Sequence, residues 1–154
     1  MLELLRAGAA SATGLELSSA SIEQARDRFA AARMADRVAL AVGDGAEAAL
    51  EPHDWVVLDR VICCYPDADA LLANSMPAAR RLFAFSVPMS RGWHGLAARV
   101  SRRLDNTWNL LRGRPCGTFV HDLDRLESAL TAAGFSRLAF DTRGLWHIAV
   151  YERA

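Results

Sequence analysis

Lysine is missing altogether: all eighteen basic residues of this 154-residue chain are arginine, and eighteen Asp and Glu cancel them to a formal net charge of zero. With no positive excess over the whole chain, nothing in the composition argues for nucleic acid as a partner. Arginine without lysine, beside abundant alanine, reads as the codon usage of a GC-rich gene before it reads as function. Cysteine is scarce as well. Of three Cys, two are adjacent at Cys63 and Cys64. That spacing gives neither a CxxC pair nor a Cys/His metal set, and an odd count suits a reducing compartment. Free thiols and no structural metal are expected. No apolar run approaches the ~20 residues of a membrane helix, and the start lacks the basic end and apolar core of a signal peptide. The expectation is a cytoplasmic protein with no integral membrane segment. Internal repeats, low-complexity tracts and linkers are absent too.

What is there suffices for one domain with a real core, since 52% of the residues are hydrophobic. The chain is organised around residues 54–67, DWVVLDRVICCYPD. Trp55-Val56-Val57-Leu58 is a short apolar run flanked by charge, which reads as a buried parallel strand. Before it, residues 2–9 form helix-like sequence ending near Gly8, residues 12–17 a strand, and 20–33 a helix with Ile22, Ala25, Phe29 and Ala32 on one face. Ser18 and Ser19 supply its cap. Val38 to Val42 is the next strand, closed by Gly43-Asp44-Gly45, and a short alanine-rich helix is expected before Pro52. After the central strand a helix is expected over 67–81 and a strand over 82–87, ended by Pro88. This alternation is that of an α/β fold with a parallel sheet.

From Arg91 to Arg114 the pattern changes to an amphipathic helix with Trp93, Leu96, Ala97, Val100, Leu104, Trp108 and Leu111 at three- and four-residue spacing. Six Arg stand there against one acidic residue, Asp105. The segment reads as an amphipathic cover helix with a solvated basic face, as a lid over an apolar ligand, or as a membrane-surface element. A helix over 123–133, closed by Gly134, leads to strands over 136–141 and 146–152 around Arg143-Gly144, close enough for an antiparallel hairpin.

In an open α/β sheet, ligands bind beyond the carboxyl ends of the strands. Glu16, with Leu17 beside it, ends the first strand where nucleotide-binding folds place a carboxylate for ribose hydroxyls; the bland alternative is a solvated turn residue. Asp44 with Gly45 suits an adenine amino group and close backbone approach, or an ordinary turn. Asp59-Arg60 ends a third strand. Cys63 and Cys64 have no partner spacing for redox work and read as structural. His53, His94 and His147 read as surface or strand positions.

The order TGLELS with its helix, RVALAVGDG, DWVVLDRVICCYPD, FAFSVP and a terminal hairpin after AAGF resembles class I S-adenosylmethionine-dependent methyltransferases over essentially the whole chain. The LDRVICCYPD run is similar to a small-molecule group related to magnesium-protoporphyrin O-methyltransferase. The resemblance implies a Rossmann-like sheet, mostly parallel with an antiparallel C-terminal hairpin, and S-adenosyl-L-methionine as cofactor. It implies Glu16 on the ribose hydroxyls, Asp44 and Gly45 on adenine, and Asp59 with Arg60 beside the methionine part. Tyr65, His121 and Trp93 would face a small-molecule acceptor, with His121 as candidate general base or as a cap or carbonyl-binding residue.

The family's first strand and glycine-rich turn have no counterpart; residues 1–5 match the helix that follows that turn. The expectation is a truncated chain that binds cofactor weakly or not at all and is inactive alone, while an upstream-extended version binds it well. The alternatives are direct pairing of the inner strands, or a second chain filling the gap in a homo-oligomer. Competing functions are a non-catalytic partner subunit of degenerate methyltransferase fold and a nicotinamide-dependent oxidoreductase. A reversed strand in the sheet speaks against the latter.

Overall fold

A computed structural model describes the backbone of residues 1–111 and 117–154, and the side chains of all of these except residues 93, 94, 97, 98, 102, 105 and 110. The contacts divide the chain into two compact units, Met1–Ala49 and Leu50–Ala154. Each is described by itself.

In the first unit a short helix α1 (Leu2–Arg6) precedes strand β1 (Ala12–Glu16), helix α2 (Ser19–Ala31) and strand β2 (Val38–Val42). The Ser18 hydroxyl accepts the Ser21 N–H at 3.3 Å and caps α2. Ile22 and Phe29, two turns apart, are its buried residues. β1 and β2 pair in parallel, from Ala12 opposite Val38 to Glu16 opposite Val42, so α2 is the crossover of a βαβ unit. The Arg37 guanidinium donates to the carbonyls of Leu5, Ala9 and Ala10 and so satisfies backbone acceptors after α1. The alanine-rich helix expected after Asp44 is absent. A single turn forms instead, with Ala48 N–H on the Asp44 carbonyl at 2.8 Å. Between Gly45 and Pro52 there is no room to propagate beyond that costly first turn.

The second unit holds strand β3 (His53–Asp59), a tight turn at Ile62–Cys64, helix α3 (Ala68–Ser75), strand β4 (Ala79–Pro88), helix α4 (Gly92–Leu111), helix α5 (Leu123–Ala132), and strands β5 (Phe135–Arg143) and β6 (Trp146–Arg153). Its sheet runs β3-β4-β6-β5. β3 is parallel to β4, and β6 lies antiparallel between β4 and β5. The expected reversed strand is present. β5 and β6 turn at Gly144-Leu145, where Gly144 has φ +61, the left-handed conformation a two-residue hairpin of this kind needs first.

The helix expected over 67–81 stops at Ser75, and β4 starts three residues earlier than the periodicity suggested. Pro77 cannot donate to the previous turn, and Met76–Ala78 tightens into a single 3-10 turn. The core lies on the sheet face where Phe83, Phe85 and Val87 oppose Tyr151, Ala149 and His147. Leu71 and Leu72 of α3 and Leu123, Leu126 and Leu130 of α5 are buried with them. Among the described residues no helix is long and apolar enough to cross a membrane.

Phe83 is fully buried, edge-on to Phe135 with centroids 6.0 Å apart. Phe83→Ala is expected to cost about 3–5 kcal/mol of unfolding free energy. Arg99→Ala, at an exposed position, should stay within about 0.5 kcal/mol. Urea titration followed by circular dichroism distinguishes the two.

Candidate functional site

Parallel neighbours end at the same edge, and in the first unit this brings two carboxylates together. Glu16 is paired with Val42, the Gly43 N–H bonds the Glu16 carbonyl at 3.0 Å, and Asp44 follows at once. Glu16 is exposed and its Oε1 accepts the Ser18 N–H at 3.1 Å. Asp44 Oδ1 accepts the Ala46 N–H at 2.9 Å. Each side chain is thus aimed by a local backbone bond. Leu17, beside Glu16, is 61% exposed. A cradle of this kind offers carboxylate acceptors to a diol and an amino group, with Gly45 leaving room for a ring.

In the second unit the ends of β3 and β4 carry a compact polar cluster. Ser86, buried, donates its hydroxyl to Asp59 Oδ1 at 2.5 Å and accepts the Arg60 N–H at 2.9 Å. Arg60 has φ +57, a left-handed conformation that is uncommon outside glycine and asparagine. Besides the Ser86 bond, its guanidinium lies over the Trp146 ring, 4.6 Å from the centroid. Backbone strain held in place this way tends to sit at functional sites.

Immediately after, the chain laces the 61–65 turn to residues 117–121. Phe119 N–H bonds the Cys63 carbonyl at 2.7 Å, and His121 Nε2 sits 2.9 Å from the Tyr65 carbonyl. A carbonyl only accepts, so Nε2 carries the proton and Nδ1 is the basic nitrogen. His121 and Tyr65 are therefore neighbours, and His121 lines a groove of about 540 Å³ with Pro66, Asp67, Asp122 and Arg125. Helices α3 and α5 both begin there, capped by Asp67 and Asp122. The groove also fits the plainer role foreseen for His121, that of a carbonyl-binding residue. The Trp93 and His94 side chains lie outside the described residues. Cys63 is buried and Cys64 exposed, with sulfurs 3.9 Å apart.

A third cluster had no signal in the sequence. Glu127 of α5 accepts Arg91 at 3.0 Å and Arg137 at 3.2 Å, and the buried His147 ring presents Nε2 3.4 Å from Glu127 without making a hydrogen bond. Only the reversed β6 brings His147 there. Burial opposes ionisation of Glu127. Hydrogen bonds from Arg91 and Tyr151 and the charges of Arg91 and Arg137 outweigh it, so its carboxyl stays below the ordinary range. Burial, ahead of the attraction to Glu127, pulls the His147 imidazole down. Burial and the Glu127 charge push the Tyr151 phenol up to about 12.

Solved structures of methyltransferases, some with bound SAM or SAH, match 94% or more of this chain in fold. Magnesium protoporphyrin IX methyltransferase (ChlM) from Synechocystis PCC 6803 with bound SAH is 18% identical with a TM-score of 0.73, over 99% of this chain and 67% of that one. NcsB1, an O-methyltransferase from neocarzinostatin biosynthesis solved with SAH and 1,4-dihydroxy-2-naphthoic acid, is 19% identical with a TM-score of 0.67. The match covers 94% of this chain and 42% of that one. The [4+2]-cyclase SpnF is 12% identical with a TM-score of 0.74, over 99% of this chain and 69% of that one. This chain therefore spans about two thirds of the length of ChlM and less than half of NcsB1. No protein-family model and no curated protein sequence matches it.

The Glu127 cluster sets an acid limit. A His held below its ordinary value leaves the unfolded chain with more protons just below about pH 6.5, so stability falls on acidification there. A depressed carboxyl contributes stability above its ordinary range and loses it as pH falls through its folded value. Melting temperature measured against pH is expected to drop in both windows. His147→Gln should flatten the upper one and Glu127→Gln the lower one.

Proposed function

We propose that this chain belongs to an enzyme that transfers a methyl group from S-adenosyl-L-methionine to a small-molecule acceptor. The observation that carries the reading is the pair of carboxylates at the carboxyl ends of adjacent parallel strands, Glu16 and Asp44, within a fold shared with O-methyltransferases crystallised with that cofactor or its product. As acceptors, both fit the hydroxyl and amino donors at the nucleoside end of the cofactor. Glu16 takes the ribose hydroxyls, Leu17 flanks the sugar, and Asp44 and Gly45 contact adenine. The cofactor supplies an electrophilic methyl group on a sulfonium.

Within the second unit, Asp59 and Arg60 are assigned to the methionine part, with Ser86 holding the Asp59 carboxylate in place. Tyr65, His121 and Trp93 are assigned to the acceptor. With its Nε2 proton on the Tyr65 carbonyl, His121 keeps Nδ1 to accept a proton from the attacking group, while alignment supplies most of the acceleration. The likeness to a [4+2]-cyclase favours a second reading, in which the same fold serves chemistry other than methyl transfer.

Titration of S-adenosylhomocysteine into the isotope-labelled chain, followed by amide chemical shifts, tests the assignment. Shifts are expected to concentrate on Glu16, Leu17, Asp44 and Gly45 with a weak affinity, and Glu16→Ala is expected to weaken it about tenfold or more through the lost charge-assisted bonds. Shifts elsewhere, or an affinity indifferent to Glu16→Ala, would remove the nucleoside assignment. Binding by an upstream-extended chain without methyl transfer to any phenolic, carboxylic or amine acceptor would favour the second reading.

A further inference from the structure

Helix α4 shows its apolar face to solvent. Leu96, Val100, Leu104 and Trp108 recur every four residues and Leu111 follows at three, which places them on one stripe. They are 61%, 53%, 68%, 56% and 76% exposed. The opposite side is the one held by the protein. Gly95 is buried, and a Cβ there would overlap the Ser90 carbonyl. Three turns on, the Asn106 amide both donates to the Thr118 carbonyl and accepts the Thr118 N–H, each at 2.8 Å. These two anchors fix the rotation of the helix about its axis, so the stripe cannot turn inward without breaking them. A continuous apolar stripe along a helix of 20 residues is more than scattered surface hydrophobics and marks a surface that meets something.

The charges beside it say what. Arg99 and Arg103 follow Leu96 and Val100 by three residues and so border the stripe on one side. Both are exposed, and neither pairs with a carboxylate among the described residues. Arg91 is different, being spent on Asp124 and Glu127. An apolar stripe that includes a tryptophan and is edged by unneutralised arginines is the arrangement of a helix lying in a membrane interface. The aliphatic residues enter the acyl boundary, and the guanidiniums remain level with the phosphates. The helix is too polar to cross.

We propose that α4 docks on an anionic lipid surface, flat in the interface, through Leu96, Val100, Leu104, Trp108 and Leu111, with Arg99 and Arg103 on lipid phosphates. This is independent of the methyl-transfer reading. A protein surface would need acidic groups placed opposite both arginines, whereas an anionic bilayer presents them at every position.

Flotation of the full chain with vesicles of phosphatidylcholine containing three-tenths phosphatidylglycerol, against vesicles of phosphatidylcholine alone, tests it. Binding is expected to the anionic vesicles, weakened at least tenfold in neutral vesicles, in high salt, and in the Arg99→Glu/Arg103→Glu variant. Leu104→Asp should abolish it. All three positions are exposed, and unchanged melting temperatures would show that the variants fold. Equal binding to both vesicles, or binding to neither, overturns the proposal. So does a dimer mass by light scattering that Leu104→Asp abolishes in the absence of vesicle binding, which would give the stripe to a second copy of the chain.

Discussion

Everything in the larger unit depends on β4 being paired along both edges, by a parallel strand on one side and an antiparallel one on the other. A strand so placed has all its backbone groups spoken for, and its side chains must serve two faces. Phe83, Phe85 and Val87 take the face that α3 and α5 cover, and their burial supplies the apolar area that holds those helices. At its carboxyl end the same strand sets Ser86 between Asp59 and the Arg60 backbone. The polar cluster is thus built on an interior strand of the sheet, where a misplaced side chain would have to move the core with it.

Much of this was legible from residue order. Strand–helix alternation, the closing glycines and a hairpin turn at Gly144 all follow from local chemistry, and β2 coincides with the run read as a strand. Where local signals competed, the boundary moved. The helix after Asp67 was expected to run as far as Arg81, but Pro77 withholds one hydrogen bond and the chain is extended from Ala79, two residues later. The alanine-rich stretch after Asp44 has helix propensity without the length to use it.

The candidate site was legible to the extent that it lies at strand ends, since that is a rule about positions along a chain. Glu16, Asp44, Asp59 and Arg60 are all found by it. What depends on partners far along the chain was not. The contact of His147 with Glu127 requires β6 to sit beside β4, and nothing near His147 in sequence announces an acid. Periodicity has a similar limit in α4. It shows that a helix has an apolar side; which way that side faces is decided by Gly95 and Asn106, two unremarkable residues three turns apart.

The order of strands in space differs from their order in time. β6 leaves the ribosome after β3, β4 and β5, yet it occupies the interior of the sheet, between strands made earlier. Until the chain is synthesised through Arg153, β4 and β5 have no bridge, and Phe83 and Phe85 face the cell without Tyr151 and Ala149 opposite them. Nascent chains of this kind carry an open, apolar gap for as long as it takes to add the bridging strand. A chaperone that shields β4 during that interval would act on the one step of folding that the topology makes late.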